Sequence, residues 1–429
     1  MIEISLNLFK KLYPIGKGGF GRVWKIQPRN KALAKCSNMY YALKEMSKVK
    51  IYIKKSINSI INERRYLELL NYPFLINMHY AFETEDSLYI VMDFLSGGDL
   101  RYHICKRIRF SEKEVKFIVS NILLALKYVH SNHIIHRDLK PENLVFDSKG
   151  YLHLTDFGIA HEYHPGDEII DSSGTPGYMS PEVILKNPHN FSVDFFSLGV
   201  IVYELMMGKR PYSGKSRKEL KEQIIVKEVK VKQKQLPNQW NDPNVIDFVN
   251  RLLKRKPEER LGSKGVDEVM NHPWLNDIDW THIEAMTQSS PFSFDSQDNF
   301  DEYYANKKEE EQYEKDKEYY LNVVNKNRYF IYYYYNSNEV KKDSTTKSKN
   351  SSTISTANTN RKNTVIKKIP INTIAKAKNN ISFNKEINST RDVSPFQPMM
   401  RETKDKDISS IEPMSMKISK RNSKAIIKS

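Results

Sequence analysis

What most limits the fold of this chain is a change in hydrophobic rhythm. Residues 9–46 alternate as strands do, around a glycine cluster, and 41–46 (YALKEM) reads as a buried strand. Residues 54–70 carry apolar positions at helical spacing, and 88–94 (LYIVMDF) is a further strand, stopped by Ser96, Gly97 and Gly98. The helical period then takes over. Ser111 followed by Glu114 is a capping-box signature, and it opens a long helix reaching His130. After Asn132 come short strand-like pieces at 144–146 and 151–155, separated by a turn at 147–150. From Val193 to about Trp274 the pattern is helical and rich in Lys and Glu. This order predicts an α+β fold with a mostly β lobe followed by a mostly α lobe.

The rest of the chain is a poor core former. Only 39% of the 429 residues are apolar, which leaves room for one large two-lobed domain with a tail. The stretch 276–336 is aromatic and charged. Beyond it, 337–429 is rich in Ser, Thr, Asn and Lys, a composition that buries too little to offset ordering entropy. Residues 341–429 hold 20 Lys and Arg against 7 Asp and Glu, a net of +13 out of +16 for the whole chain. The basic balance therefore describes a tail, and a nucleic-acid partner is not expected. Cys36 and Cys105 belong to no metal-like or disulfide-like cluster. The start lacks a signal-peptide core and a Met-Gly acylation site, and no run is long and apolar enough to cross a membrane. A soluble, monomeric, cytoplasmic protein is expected, with a nuclear location as the alternative.

Three groups of residues carry chemistry. Gly16-Lys17-Gly18-Gly19-Phe20-Gly21, followed by Val23, is a glycine loop whose backbone can approach phosphates. Alone it also fits a dinucleotide site or a turn. The chain, however, continues as a strand, and Lys44 follows about 20 residues on. Lys44 lies in an apolar strand and needs an anionic partner, which Glu63 offers. The third group is His136-Arg-Asp-Leu-Lys-Pro-Glu-Asn143, then Asp156-Phe-Gly158. Phosphoryl transfer asks for a carboxylate near the acceptor hydroxyl, a cation over the phosphate and hard oxygens for magnesium. Asp138, Lys140, and the pair Asn143 and Asp156 supply these in turn.

On these motifs, with Glu182 of the Ser180-Pro-Glu triplet downstream, residues 9–275 resemble the eukaryotic protein kinases of the serine/threonine type. The resemblance implies the two-lobed protein kinase fold, ATP and Mg2+ as cofactors, and protein substrates with Ser or Thr acceptors. It implies that Ile15 to Val23 cover ATP, that Lys44 holds its phosphates with Glu63 as partner, and that Val23, Ala42 and Val145 sandwich the adenine. Met92 matches the gatekeeper. The backbones of Asp93 and Leu95 would hold the adenine edge, and Asp99 would meet the ribose. Asp194 would brace the catalytic loop, Glu182 would pair with Arg260, and Leu67, His136 and Phe157 would stack between the lobes.

The stretch 258–265 (EERLGSKG), the ending Asn271-His-Pro-Trp-Leu and a later Asn299-Phe-Asp301 are similar to the AGC group. Gly98-Asp-Leu-Arg-Tyr-His103 adds a likeness to its YANK branch. This resemblance makes 276–336 an AGC-type extension, brings Phe300 to the nucleotide pocket and suggests that Phe330 and Tyr333 dock beside the Glu63 helix. Otherwise 328–335 is an aromatic-rich strand or helix end. Glu142 and Asp99 match acids that select arginine upstream of the acceptor; alternatively Asp99 serves the ribose alone and Glu142 offers only its backbone. Gly177 departs from the related cyclic-nucleotide-dependent kinases, which carry Glu.

Two features concern control. Asp171 stands where many such kinases carry a threonine that must be phosphorylated, and Arg137 is the usual receiver of that phosphate. Between Ser296 and Ser337 there is no Ser or Thr, while 309–311 are three glutamates. Priming by fixed carboxylates is the expectation, with Ser172 and Ser173 as residual sites. The rival reading is a pseudokinase or scaffold that acts by binding only, although its usual mark, loss of Lys44, Asp138 or Asp156, is missing. The basic tail is either a solvated segment or a weak contact for anionic membrane.

Overall fold

The computed structural model describes residues 3–30, 39–107, 109–294, 299–300, 317–331 and 333–338. Cys36, Asp301, the glutamates at 309–311 and the basic tail from 339 onward lie outside the described residues. Strands β1 (Phe9–Lys17), β2 (Gly21–Pro28), β3 (Tyr41–Ser47), β4 (Met78–Glu83) and β5 (Ser87–Asp93) form an antiparallel sheet ordered β1-β2-β3-β5-β4. Its register sets Gly16 opposite Val23, Val23 opposite Lys44, and Ala42 opposite Met92. Residues expected around a nucleotide therefore share one region of the sheet. The helix expected over 54–70 is present as α2 (Ile57–Leu69), and a separate short helix, α1 (Lys48–Ile53), precedes it. The break falls at Lys55, whose φ of 54° is left-handed and cannot continue a helix.

A short strand β6 (Gly98–Asp99) leads into α3 (Leu100–Lys106), and Asp99 caps that helix by accepting from the Tyr102 N–H at 2.8 Å. Helix α4 (Glu112–Ser131) starts with the expected capping box: Glu114 N–H donates to Ser111 Oγ, and Ser111 N–H donates back to Glu114 Oε2 at 2.8 Å. Small strands follow: β7 (Ile134–Ile135), β8 (Leu144–Phe146), β9 (Leu152–Leu154) and β10 (His161–Glu162). They pair as β7 with β10 and as β6-β8-β9, and these pairings position the loops between them. Then come α5 (Pro181–Ile184), α6 (Ser192–Met207), α7 (Arg217–Val226), α8 (Asn244–Leu252), α9 (Val266–Met270) and α10 (Trp280–Glu284). Helix α6 is apolar on nearly every face, so it is buried all round at the centre of the helical lobe. One continuous core runs from Met46, Ile60 and Leu67 through Leu144 and Phe157 to Trp274, joining the two lobes.

The chain after 276 returns to both lobes. Phe292 and Phe294 pack on Phe146 with ring centres 4.8 and 5.3 Å apart. Helix α11 (Lys317–Lys326) rests on α1, and Lys48 Nζ donates to Asn325 Oδ1 at 3.2 Å. Phe330 and Tyr333 are both buried. Arg64 of α2 donates to the Tyr333 and Tyr334 carbonyls at 3.2 and 2.9 Å. Strand β11 (Tyr335–Asn336) then pairs with β4. Residues 328–331 and 333–335 thus dock beside the Glu63 helix, and Tyr335 and Asn336 cover a sheet edge that would otherwise present unpaired backbone.

Candidate active site

The glycine loop sits between β1 and β2. A Cβ on Gly21 would lie 2.0 Å from the Glu45 carbonyl oxygen, so only glycine permits this approach of β2 to β3. The loop is tied down by the Ser47 N–H, which donates to the Phe20 carbonyl at 3.0 Å, and by Lys54 Nζ, which donates to the Gly19 carbonyl at 2.5 Å and lies over the Phe20 ring. Lys17, Gly18 and Gly19 lie at the turn, the two glycines exposed, while Ile15, Gly16 and Val23 are partly covered. Ala42 is buried, and Met92, Leu95 and Val145 are half-buried. Phe300 stacks on Tyr13 of β1, with centroids 5.9 Å apart, and the preceding Asn299 N–H donates to the Ser96 carbonyl at 2.9 Å. That places Phe300 between the first strand and the segment linking the lobes. Asp93 turns its carboxylate away from this region, onto Asn77 and His79, leaving its backbone on the strand.

Lys44 Nζ meets Glu63 Oε1 at 2.5 Å. Burial pushes the Lys44 ammonium pKa down, but Glu63 and Asp156 outweigh it and raise it above the ordinary lysine value. Burial likewise works against the Asp156 carboxylate, and the Lys44 charge with the Gly158 N–H holds its pKa below the usual range. The two groups stay charged because they face each other. Asp156 holds a left-handed backbone, φ 64°, and so does Arg137, φ 67°. Such strain in non-glycine residues persists only where the surroundings fix it. Here Asp194 does so for Arg137: its two oxygens accept from the His136 and Arg137 N–H groups at 3.0 and 2.8 Å, with His130 Nε2 at 2.8 Å. Burial would raise the Asp194 carboxyl, yet the His130 bond and charge hold it low.

Asp138 is the most densely bonded carboxylate of the catalytic loop. Its Oδ1 accepts from the Thr175 N–H at 3.1 Å and the Thr175 hydroxyl at 2.7 Å. Its Oδ2 accepts from Lys140 Nζ at 2.6 Å and Asn143 Nδ2 at 3.2 Å. Lys140 also donates to Thr175 Oγ1 at 2.8 Å. The activation segment thereby closes onto the catalytic loop through Thr175, whose role the sequence did not single out. Beyond it, Arg137 Nη1 donates to Asp171 Oδ1, while Arg137 Nε donates to the Ile159 carbonyl at 2.7 Å. The expected pair of Glu182 and Arg260 is present, buried and bidentate at 2.7 and 3.0 Å. His136 and Phe157 meet edge to face at 5.2 Å, with Leu67 in the same core.

Two findings depart from the expectations. Glu142 does not stand free to receive a substrate: its carboxylate accepts from Arg101 Nε at 2.9 Å. Asp99 is spent partly on capping α3, and burial raises its pKa. Arg101 itself was not anticipated, because its partners lie 41 to 103 residues away in the chain and no local spacing announces them.

A two-lobed fold with this loop, this ion pair and this carboxylate defines a phosphoryl-transfer class, and residues 9–275 match the protein kinase domain family. The chain belongs to the protein kinase family. It is 37% identical over 305 residues to a probable serine/threonine-protein kinase of Dictyostelium discoideum, covering 70% of this chain and 64% of that protein. Protein kinase 2 of the same organism is 36% identical over 276 residues, 64% of this chain and 55% of that one. Ribosomal protein S6 kinase 2 alpha of Gallus gallus is 37% identical over 287 residues, 66% of this chain and 37% of that one. The chain thus spans less than two thirds of each of these relatives.

Proposed function

We propose that this protein transfers the γ-phosphate of ATP to serine and threonine hydroxyls of protein substrates. The observation that carries the reading is Asp138, a carboxylate oriented by Thr175, Lys140 and Asn143, together with the facing charges of Lys44 and Asp156. Four protein donors already fill its lone pairs, so an acceptor hydroxyl enters by displacing one of them. Lys140 is the donor with another task, since a phosphoryl oxygen is a better partner for it than an occupied carboxylate. With the hydroxyl against Asp138, its oxygen bonds to the γ-phosphorus, its proton passes to the Asp138 carboxylate, and the bond to the β-phosphate oxygen breaks to release ADP.

The residues present also fit magnesium. Asn143 spends its amide nitrogen on Asp138, which leaves its oxygen as the atom to ligate a cation, and Asp156 is held ionised. Two hard oxygens suit a magnesium ion that completes its shell with phosphates and water, and its charge would offset theirs. Among the described residues no group of three or more His, Cys, Asp or Glu could hold a metal by itself. Lys44 orients the phosphates, and Asp138 orients the acceptor.

A monomer acting inside the cell, where ATP is available, fits this chemistry; no described helix is long and apolar enough to cross a membrane. The test is a phosphotransfer assay of the wild type against Asp138→Ala. A loss of about a hundredfold or more in kcat is expected. Equal activity of the two would reject the reading in favour of a binding-only protein.

A further inference from the structure

We infer that Arg101 is a specificity-determining residue: it fills, from within the chain, the acidic pocket beside the catalytic loop, and so removes selection for an arginine upstream of the phosphorylated residue. This deepens the reading of the protein as a protein-phosphorylating enzyme and rests on it.

The pocket is built by three acids and a phenol. Glu142 lies two residues past Lys140, so a peptide with its hydroxyl at Asp138 passes beside it. Glu204 comes from α6 and is buried, and Tyr178 comes from the activation segment and donates to Glu204 Oε2 at 2.6 Å. Asp99 stands at the head of α3. Two acids facing one pocket form a natural seat for a guanidinium, which matches carboxylates with a rigid fork of donors. In this chain the seat is taken. Arg101 Nε donates to Glu142 at 2.9 Å, Nη1 and Nη2 donate to the two Glu204 oxygens at 2.9 and 3.3 Å, and Nη2 also reaches the Tyr178 hydroxyl. All three guanidinium nitrogens are engaged.

A substrate arginine would therefore exchange like for like. It would gain the same bonds that Arg101 loses, and Arg101 would have to be re-ordered in water. The exchange yields little net binding, whereas an empty pocket would reward an arginine with two charge-assisted contacts. A second position agrees. A Cβ on Gly177, next to Tyr178, would fall 2.4 Å from the Arg210 guanidinium, so there too an arginine of the chain stands over the segment. Where an acid at 177 could have drawn a basic substrate, the local charge is positive.

The experiment uses the full chain and peptides with one serine in an alanine background, carrying arginine or its neutral isostere citrulline two or three positions upstream. Transfer is read as kcat/KM, and binding of fluorescent peptides is read by anisotropy. The wild type should treat arginine and citrulline alike within about threefold, while Arg101→Ala should prefer arginine by about tenfold or more, through KM. Glu142→Gln should leave the wild-type ratio within about threefold, since that carboxylate is already paired with Arg101. A wild type that prefers arginine about tenfold and loses the preference in Glu142→Gln overturns the inference. A folded Arg101→Ala without the new preference does so as well. Should Arg101→Ala not fold, Glu142→Gln decides. If no peptide is phosphorylated by the wild type, the functional reading fails, and the anisotropy ratios still decide the role of Arg101.

Discussion

Replacing Asp171 by alanine tests whether a fixed carboxylate does the work of a regulatory phosphate. The Arg137 side chain is only 5% exposed, whereas that of Asp171 is 48% exposed. Breaking a fully buried pair from one side costs about 3–5 kcal/mol, and an exposed pair is worth about 0.2–1 kcal/mol. This pair lies between those limits. Arg137 keeps its bond to the Ile159 carbonyl, and half of Asp171 is already in water. A loss of about 1–3 kcal/mol is therefore expected, which is about 5- to 150-fold in the balance between ordered and disordered activation segment. Because Thr175 of the same segment bonds Asp138, disorder there removes two donors from the catalytic carboxylate. The assay is peptide phosphorylation by protein made in bacteria and treated with phosphatase. Treated wild type should keep most of its activity, and Asp171→Ala should lose activity within the range just given. An Asp171→Ala enzyme within about twofold of wild type would refute the reasoning, being less than the half kcal/mol of a weak surface pair. Strong inactivation of the wild type by phosphatase would refute it too and would point to Ser172 or Ser173.

Two further outcomes follow from the packing. Deleting 328–429 removes Phe330 and Tyr333, two buried anchors beside α2, each worth about 3–5 kcal/mol when truncated to alanine; activity should fall, while deleting only 341–429 should not lower it. Equal activity of the two deletions in a peptide assay would contradict the anchoring. Ser180→Ala should raise stability by about 1 kcal/mol, measured by denaturant unfolding, because the Ser180 hydroxyl is buried without a hydrogen-bond partner among the described residues; a loss of stability instead would mean that the hydroxyl is paired.

Much of the fold was legible because local rules settled it. Alternation gave the sheet strands, and the Ser111 and Glu114 capping box placed the start of α4 to the residue. The 54–70 helix was legible too, whereas the short helix α1 (Lys48–Ile53) before it, set off by the left-handed Lys55, was not. The site was legible in its membership, since Lys44, Glu63, Asp138, Asn143 and Asp156 sit in motifs whose chemistry follows from residue type.

What the order of residues determined by itself was therefore the set of reacting groups and the likeness that names the family. Tertiary structure alone decided how those groups are occupied. Asp138 could be read as a base from its motif, but that Thr175 and Lys140 bond its two oxygens depends on a segment 37 residues away folding back. Glu142 could be read as an acid open to substrate, yet it is held by Arg101, which also reaches Glu204 103 residues further along the chain. A charge in sequence is only a capacity to pair; which partner it takes is fixed by distance, and that distance exists only after the helices and the sheet have packed.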